Sequence, residues 1–223
     1  MLGAEALIRW NHPNMGLIMP GAFIECFEDA GLIYRLDNYI WEEAAKQLKI
    51  WKDSGYNYYI SVNISAKDIL DETTKRIMLN NVKLFPKPEL IVFEILESEG
   101  INNFSEIISF IKSVKEMGCK IAIDDFGSGY SNFERISQLE VDYVKIDGSL
   151  IKNIDTNQNN EILVQTIVDF SKKIGLKTIA EFVHSESVYK KVKELGIDYA
   201  QGYYIGEPSP NLVVNHKLEA SND

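Results

Sequence analysis

Leu90-Ile91-Val92-Phe93-Glu94-Ile95-Leu96 is apolar at every position except Glu94. A strand of this composition is buried on both faces, which places it in a parallel sheet wrapped by helices and not in a half-solvated antiparallel one. Strand alternation turns Glu94 inward, where a lone carboxylate is costly without a partner. The exception in the run therefore marks a place to look for chemistry.

Working outward, residues 58–63, 120–124, 142–146, 177–181 and 198–204 read as further β-rich runs. Helical spacing separates them at 73–84, 104–117, 160–174 and 186–195, and precedes them at 22–30 and 34–54. In the last of these, Leu36, Ile40, Ala44, Leu48 and Trp51 form one apolar stripe, while 11–21 reads as turn. Gly118, Gly175 and Gly196 each follow a periodic segment and precede a strand, the position of a left-handed glycine that ends a helix. Counting a short run at Glu5, seven strands alternate with helices. This predicts an α/β fold, a TIM-like (β/α)8 barrel one strand short; an open doubly wound sheet would instead collect its ligand groups at one crevice. The barrel domain is expected over 1–210, followed by a polar tail at 211–223.

At 223 residues, 45% hydrophobic, with 14 Gly and 6 Pro, the chain suits one well-buried domain and not a disordered one. Its formal net charge of -10 excludes the broad basic surface that binds polymeric nucleic acid; a small nucleotide held through metal ions remains compatible. Cys26 and Cys119 are expected as buried free thiols, and two cysteines without clustered histidines do not make a structural zinc site. His12, His184 and His216 show no ligand spacing. No signal peptide or membrane-spanning run is visible, so the segment is expected in the cytoplasm, alone or as the cytoplasmic part of a membrane-anchored parent.

The strand ends carry Glu5, Asn63, Glu94, Asp124-Asp125, Lys145, Glu181 and Gln201. In an alternating α/β fold those ends converge on one face, and acids with an amide around a lysine suit hard cations and a phosphate. Asp124 and Asp125, in Asp124-Asp125-Phe126-Gly127-Ser128-Gly129-Tyr130, repel each other when both are ionised, unless cations offset the charge. The bland alternatives are a helix cap for the doublet, a backbone cap for Asn63 and an ion pair with Asp147 for Lys145. No phosphate loop or nucleophile motif is present.

In order, Glu5-Ala6-Leu7-Ile8-Arg9-Trp10, Val62-Asn63-Ile64-Ser65, Glu94-Ile95-Leu96-Glu97-Ser98, Asp124 to Gly129, Lys145-Ile146-Asp147, Ala180-Glu181 and Gln201-Gly202 resemble the EAL domain family of cyclic di-GMP phosphodiesterases. The resemblance implies a modified barrel that hydrolyses cyclic di-GMP to linear pGpG with a pair of Mg²⁺ or Mn²⁺ ions. It implies Glu5, Asn63, Glu94 and Asp124 on one metal, Asp124 bridging to a second, and Asp125 and Glu181 completing that second site. It further implies catalytic roles for Lys145, Glu181, Gln201 and Glu97, with Lys145 and Gln201 orienting water and Glu97 anchoring the loop from Asp125 to Tyr130. Leu7, Arg9 and Asp147 would contact the substrate nucleotide. Homodimerisation and an upstream sensory or GGDEF-type domain are implied partners.

Several departures from the family stand out. Where the family reads Ala-Glu-Gly-Val-Glu, this chain has Ala180-Glu181-Phe182-Val183-His184; Ser128 replaces a threonine, and the family's leading helix and strand are missing before Glu5. A change in the shell around a metal weakens affinity or rate by about 10- to 100-fold, so the second expectation is a weak or inactive cyclic di-GMP receptor. An unrelated metal-dependent lyase barrel fits the adjacent aspartates poorly.

Overall fold

The computed structural model describes residues 3–85, 87–98, 104–129 and 133–210. Seven strands form one sheet in the order β1 (Gly3–Glu5), β4 (Tyr59–Ile64), β5 (Ile91–Leu96), β6 (Lys120–Phe126), β7 (Tyr143–Ile146), β8 (Lys177–Ala180) and β9 (Tyr199–Ala200). The pairs β1–β4, β6–β7, β7–β8 and β8–β9 are parallel. The seven-strand expectation and the α/β class hold.

The chain divides into two compact units, one comprising Met1–Phe93 with Ser113–Lys120, the other Glu94–Lys112 with the chain from Ile121 onward. In the first, the Ile33–Asp53 helix buries Trp41, Ala44, Leu48 and Trp51, a 3-4-3 spacing that keeps one stripe inward. Trp41, absent from the expected stripe, packs its ring 4.9 Å from that of Phe93, while Leu36 and Ile40 are only half-buried. After β4, Ser65 starts the Ala66–Leu70 helix through a capping box in which its side chain accepts from the Asp68 N–H and the Asp68 carboxylate accepts from the Ser65 N–H.

In the second unit, the Gln158–Lys173 helix buries Val164, Ile167, Val168 and Ser171, and Phe133 bridges Phe126 and Phe170 by edge contacts of 5.3 and 4.7 Å. Gly118, Gly175 and Gly196 have φ of 96°, 79° and 69°, as expected for left-handed helix stops.

Some readings need correction. Residues 11–21 are not turn alone: β2 (Trp10–His12) and β3 (Gly16–Ile18) make a short antiparallel hairpin, its alternation hidden among turn-forming residues. The strand expected over 198–204 is a ladder of only Tyr199–Ala200, because the chain turns at Gly202, whose carbonyl accepts from Ile205 and Gly206. The short helices Ala66–Leu70, Phe133–Gln138 and Gly148–Ile151 span too few turns to show a period. Cys119 is buried as expected, whereas Cys26 lies on the exposed side of Ile24–Asp29. The expected tail at 211–223 lies outside the described residues.

Candidate active site

β5, β6 and β7 each carry one or more charged side chains within an otherwise apolar run, and Glu181 follows β8 directly. The centre is Lys145, 1% exposed in the middle of the fully buried β7. Its ammonium stands 2.9 Å from Glu94 Oε2, 2.8 Å from Asp124 Oδ1 and 2.8 Å from Glu181 Oε1. The register aligns Lys145 with Ile179 on β8, which puts Glu181, one residue past the strand, within reach; the Glu181 N–H donates to the Ile146 carbonyl at 3.2 Å. Burying an ammonium costs several kcal/mol unless anions compensate, and here three carboxylates do. The expected alternative, an ion pair of Lys145 with Asp147, is not what the structure has. Asp147 instead caps the Gly148–Ile151 helix, its Oδ1 accepting from the Ser149 N–H.

The adjacent aspartates work through a break in regular strand geometry. Successive strand residues point to opposite faces, so Asp124 and Asp125 on an ideal strand would be separated by the sheet. Between Ile123 and Phe126, however, β6 slips register against β7, and Asp125 takes φ of 54° in the left-handed region. Aspartate tolerates that region better than bulky residues do. The bulge brings one carboxylate oxygen each from Asp124, Asp125 and Glu181 within 4.8 Å of one another, a spacing that can hold a metal ion.

Electrostatics point the same way. Burial, then the neighbouring charges of Asp124 and Asp147, raises the Asp125 carboxyl above its ordinary range, with Lys145 partly opposing. Asp124 Oδ1 is buried and faces the Lys145 ammonium at 2.8 Å. Four carboxylates (Glu94, Asp124, Asp125, Glu181) thus neighbour one lysine, and all the donors are oxygens. Hard divalent cations fit such a set.

Two flanking residues stabilise the cluster's surroundings. The Gly127 N–H donates to Glu97 Oε2 at 3.3 Å, which ties the segment after the bulge to the end of β5; Tyr130, at the far end of the loop that Glu97 was expected to anchor, lies outside the described residues. The Gln201 N–H donates to the Ala180 carbonyl at 2.8 Å, and its carbonyl accepts from the Val183 N–H at 2.9 Å. A Cβ on Gly202 would come within 2.4 Å of the Val183 backbone, so only glycine lets this clamp close.

In the first unit, Asn63 Nδ2 donates to Glu5 Oε1 at 2.8 Å across β4 and β1, whose register pairs Glu5 with Ser61. Asn63 therefore engages a side chain and not a backbone cap. Leu7 is 42% exposed past β1, and the Arg9 guanidinium donates to the Ile8 carbonyl at 2.8 Å. Asn63 also lines a groove with Asp37, Trp41 and Asp68. Asp37 was not anticipated: burial and the adjacent Asp68 push its carboxyl up to about 7. The Ser65-x-x-Asp68 capping signature could have placed Asp68 from sequence, but nothing in the helical period singles out Asp37.

The sequence matches the EAL domain family over residues 1–208. It is 31% identical over 216 residues to the bifunctional diguanylate cyclase/cyclic di-GMP phosphodiesterase MucR of Pseudomonas aeruginosa, covering 94% of this chain and 31% of that protein. To the cyclic di-GMP phosphodiesterase PdeR of Escherichia coli it is 32% identical over 211 residues, covering 92% of this chain and 31% of the relative. The solved PaMucR phosphodiesterase in complex with c-di-GMP superposes with a TM-score of 0.88 at 32% identity, covering 94% of this chain and 86% of that one. The chain spans roughly a quarter to a third of the length of the first curated relatives it matches.

Proposed function

The chain belongs to the EAL domain family, and from that premise we propose that it hydrolyses one phosphodiester bond of cyclic di-GMP to give linear pGpG, with two divalent ions, Mg²⁺ or Mn²⁺. The observation that carries this reading is the bulge on β6. It gathers Asp124 and Asp125 with Glu181 on one side of the sheet, beside a lysine already saturated with anions.

Glu94, Asp124, Asp125 and Glu181 supply the metal-binding oxygens. By motif order, Glu5 and Asn63 belong to the same ligand set. Bound there, divalent ions neutralise the carboxylate repulsion, activate water and stabilise charge on the phosphate. The chain's own residues do the rest. Lys145 fixes the positions of Glu94, Asp124 and Glu181 through its ammonium, and Gln201 orients the attacking water. The water oxygen bonds to phosphorus and the bond to the ribose 3′ oxygen breaks. The proton shed by the water is taken up within the carboxylate cluster and returned to that 3′ oxygen. Asp147, Arg9 and Leu7 hold the nucleotide, and Glu97 keeps the Gly127 segment against the end of β5.

Two observations favour a second reading, a receptor that binds without cleaving. Phe182 occupies a left-handed backbone position, φ 55°, where the family has glycine, and His184 Nε2 donates to the Lys152 carbonyl at 2.9 Å where the family has a second acid. Purified protein incubated with cyclic di-GMP and Mn²⁺ or Mg²⁺ decides between the two by chromatography. Release of pGpG, lost by more than about 100-fold in Asp124→Asn and in Asn63→Ala, supports the enzyme. Intact nucleotide recovered with either metal overturns it. No helix among the described residues is long and apolar enough to cross a membrane. A cytoplasmic setting, a homodimer and a partner domain in a longer parent protein complete the proposal.

A further inference from the structure

We infer that Phe182 is an aromatic seat for a purine base at the edge of the carboxylate cluster, a role that rests on the proposed cyclic dinucleotide chemistry. Its backbone is unusual: an aromatic residue at φ of 55° is held in a region that L side chains enter at a cost. Burial does not offset that cost, since Phe182 remains 52% exposed.

The conformation persists because its surroundings impose it. The Glu181 N–H is fixed on the Ile146 carbonyl and the Val183 N–H on the Gln201 carbonyl. Gly202 leaves no room for a side chain against Val183. Beneath the Phe182 Cβ lies Gly148, where an added Cβ would come within 2.9 Å. A small residue at 148 is therefore the counterpart of a large one at 182.

The position of the ring says what it is for. Phe182 directly follows Glu181, one of the three clustered acids, and stands over Gly148, directly after Asp147, whose charge is felt by Asp125. Lys152 Nζ lies 5.8 Å from the ring centroid, and His184 meets the ring edge at 5.7 Å. An exposed ring flanked by a lysine and set beside metal-binding carboxylates combines a π-face for a base with a cation for a nearby phosphate. A leucine of similar bulk would pack on Gly148 equally well and would offer no such face.

The test is titration of cyclic di-GMP into the whole chain in Ca²⁺, with wild type, Phe182→Leu, Phe182→Gly and Phe182→Tyr. Glycine suits the left-handed backbone, so a binding defect in that variant is not a folding defect. The Leu and Gly variants are expected to bind about 5- to 150-fold more weakly, the range for loss of one base–aromatic stack, while Tyr stays within about 3-fold of wild type. A cyclic dinucleotide carrying 2-aminopurine should be quenched on binding to wild type and the Tyr variant but not to the Leu variant. Wild-type binding that Leu and Gly leave unchanged overturns the base seat alone. A wild type that binds no cyclic di-GMP overturns both the seat and the proposed function.

Discussion

Replacing Lys145 by methionine keeps most of the length of the side chain and removes the positive charge that three carboxylates approach to 2.8 to 2.9 Å. Glu94 is 3% exposed, and the side chains of Asp124 and Glu181 are 11% and 17% exposed. Removing one partner of a buried ion pair costs about 3 to 5 kcal/mol. The lower end, about 3 kcal/mol, applies because two of the three acids retain some contact with water. For a chain of this size each kcal/mol moves the melting temperature by about 2 to 4 °C, so Lys145→Met should melt about 6 to 12 °C below wild type at pH 8. The deficit should shrink at pH 5, where protons replace the missing positive charge, and shrink at pH 8 when Mn²⁺ is added, because the freed carboxylates then bind cation more strongly. Differential scanning fluorimetry at the two pH values, with and without metal, reads all of this. A variant melting within about 1 °C of wild type at pH 8 would refute the account of Lys145 as the counter-ion that holds the cluster together.

Other outcomes follow from single features. The Asp37 carboxyl, moved from 3.8 to about 7, holds a proton in the folded state that the unfolded state releases, so its contribution is intact below about pH 4 and is lost as pH rises through 7. Three units correspond to about 4 kcal/mol, which partial solvent exposure reduces to about 2. Asp37→Asn should therefore raise the melting temperature by about 4 to 8 °C at pH 8 relative to wild type and by little at pH 4. Gly148→Ala should destabilise by about 1 to 3 kcal/mol through its clash with the Phe182 Cβ, and Phe182→Gly should restore most of that loss in a double-mutant cycle measured by urea unfolding. A thiol reagent at pH 8 should find one fast cysteine: Cys26 is exposed, whereas burial pushes Cys119 up to about 12, and two equally fast thiols would contradict the placement.

What could be read from the chain alone was periodicity and outliers within it. The apolar runs around Glu94 and Lys145 mark doubly buried strands, since no half-solvated strand is so uniformly apolar, and a charge inside such a run has to find partners. The helices with whole turns, such as Ile33–Asp53 and Gln158–Lys173, announce themselves by stripe, and the glycines after them by position. The same logic fails where an element is shorter than its own period, as at β2, β3 and Gly148–Ile151.

The order of motifs along the chain determined that carboxylates, an amide and a lysine would sit at strand ends. It did not determine who touches whom. Alternation by itself sends Asp124 and Asp125 to opposite faces, and the bulge between β6 and β7 reverses that, because register depends on the neighbouring strand and not on the residues in question. Likewise Lys145 has Asp147 two residues away in sequence, yet it pairs with Glu94, Asp124 and Glu181, which lie 51, 21 and 36 positions distant. Sequence specifies which groups must be neutralised, and only the packing of strand against strand specifies by what.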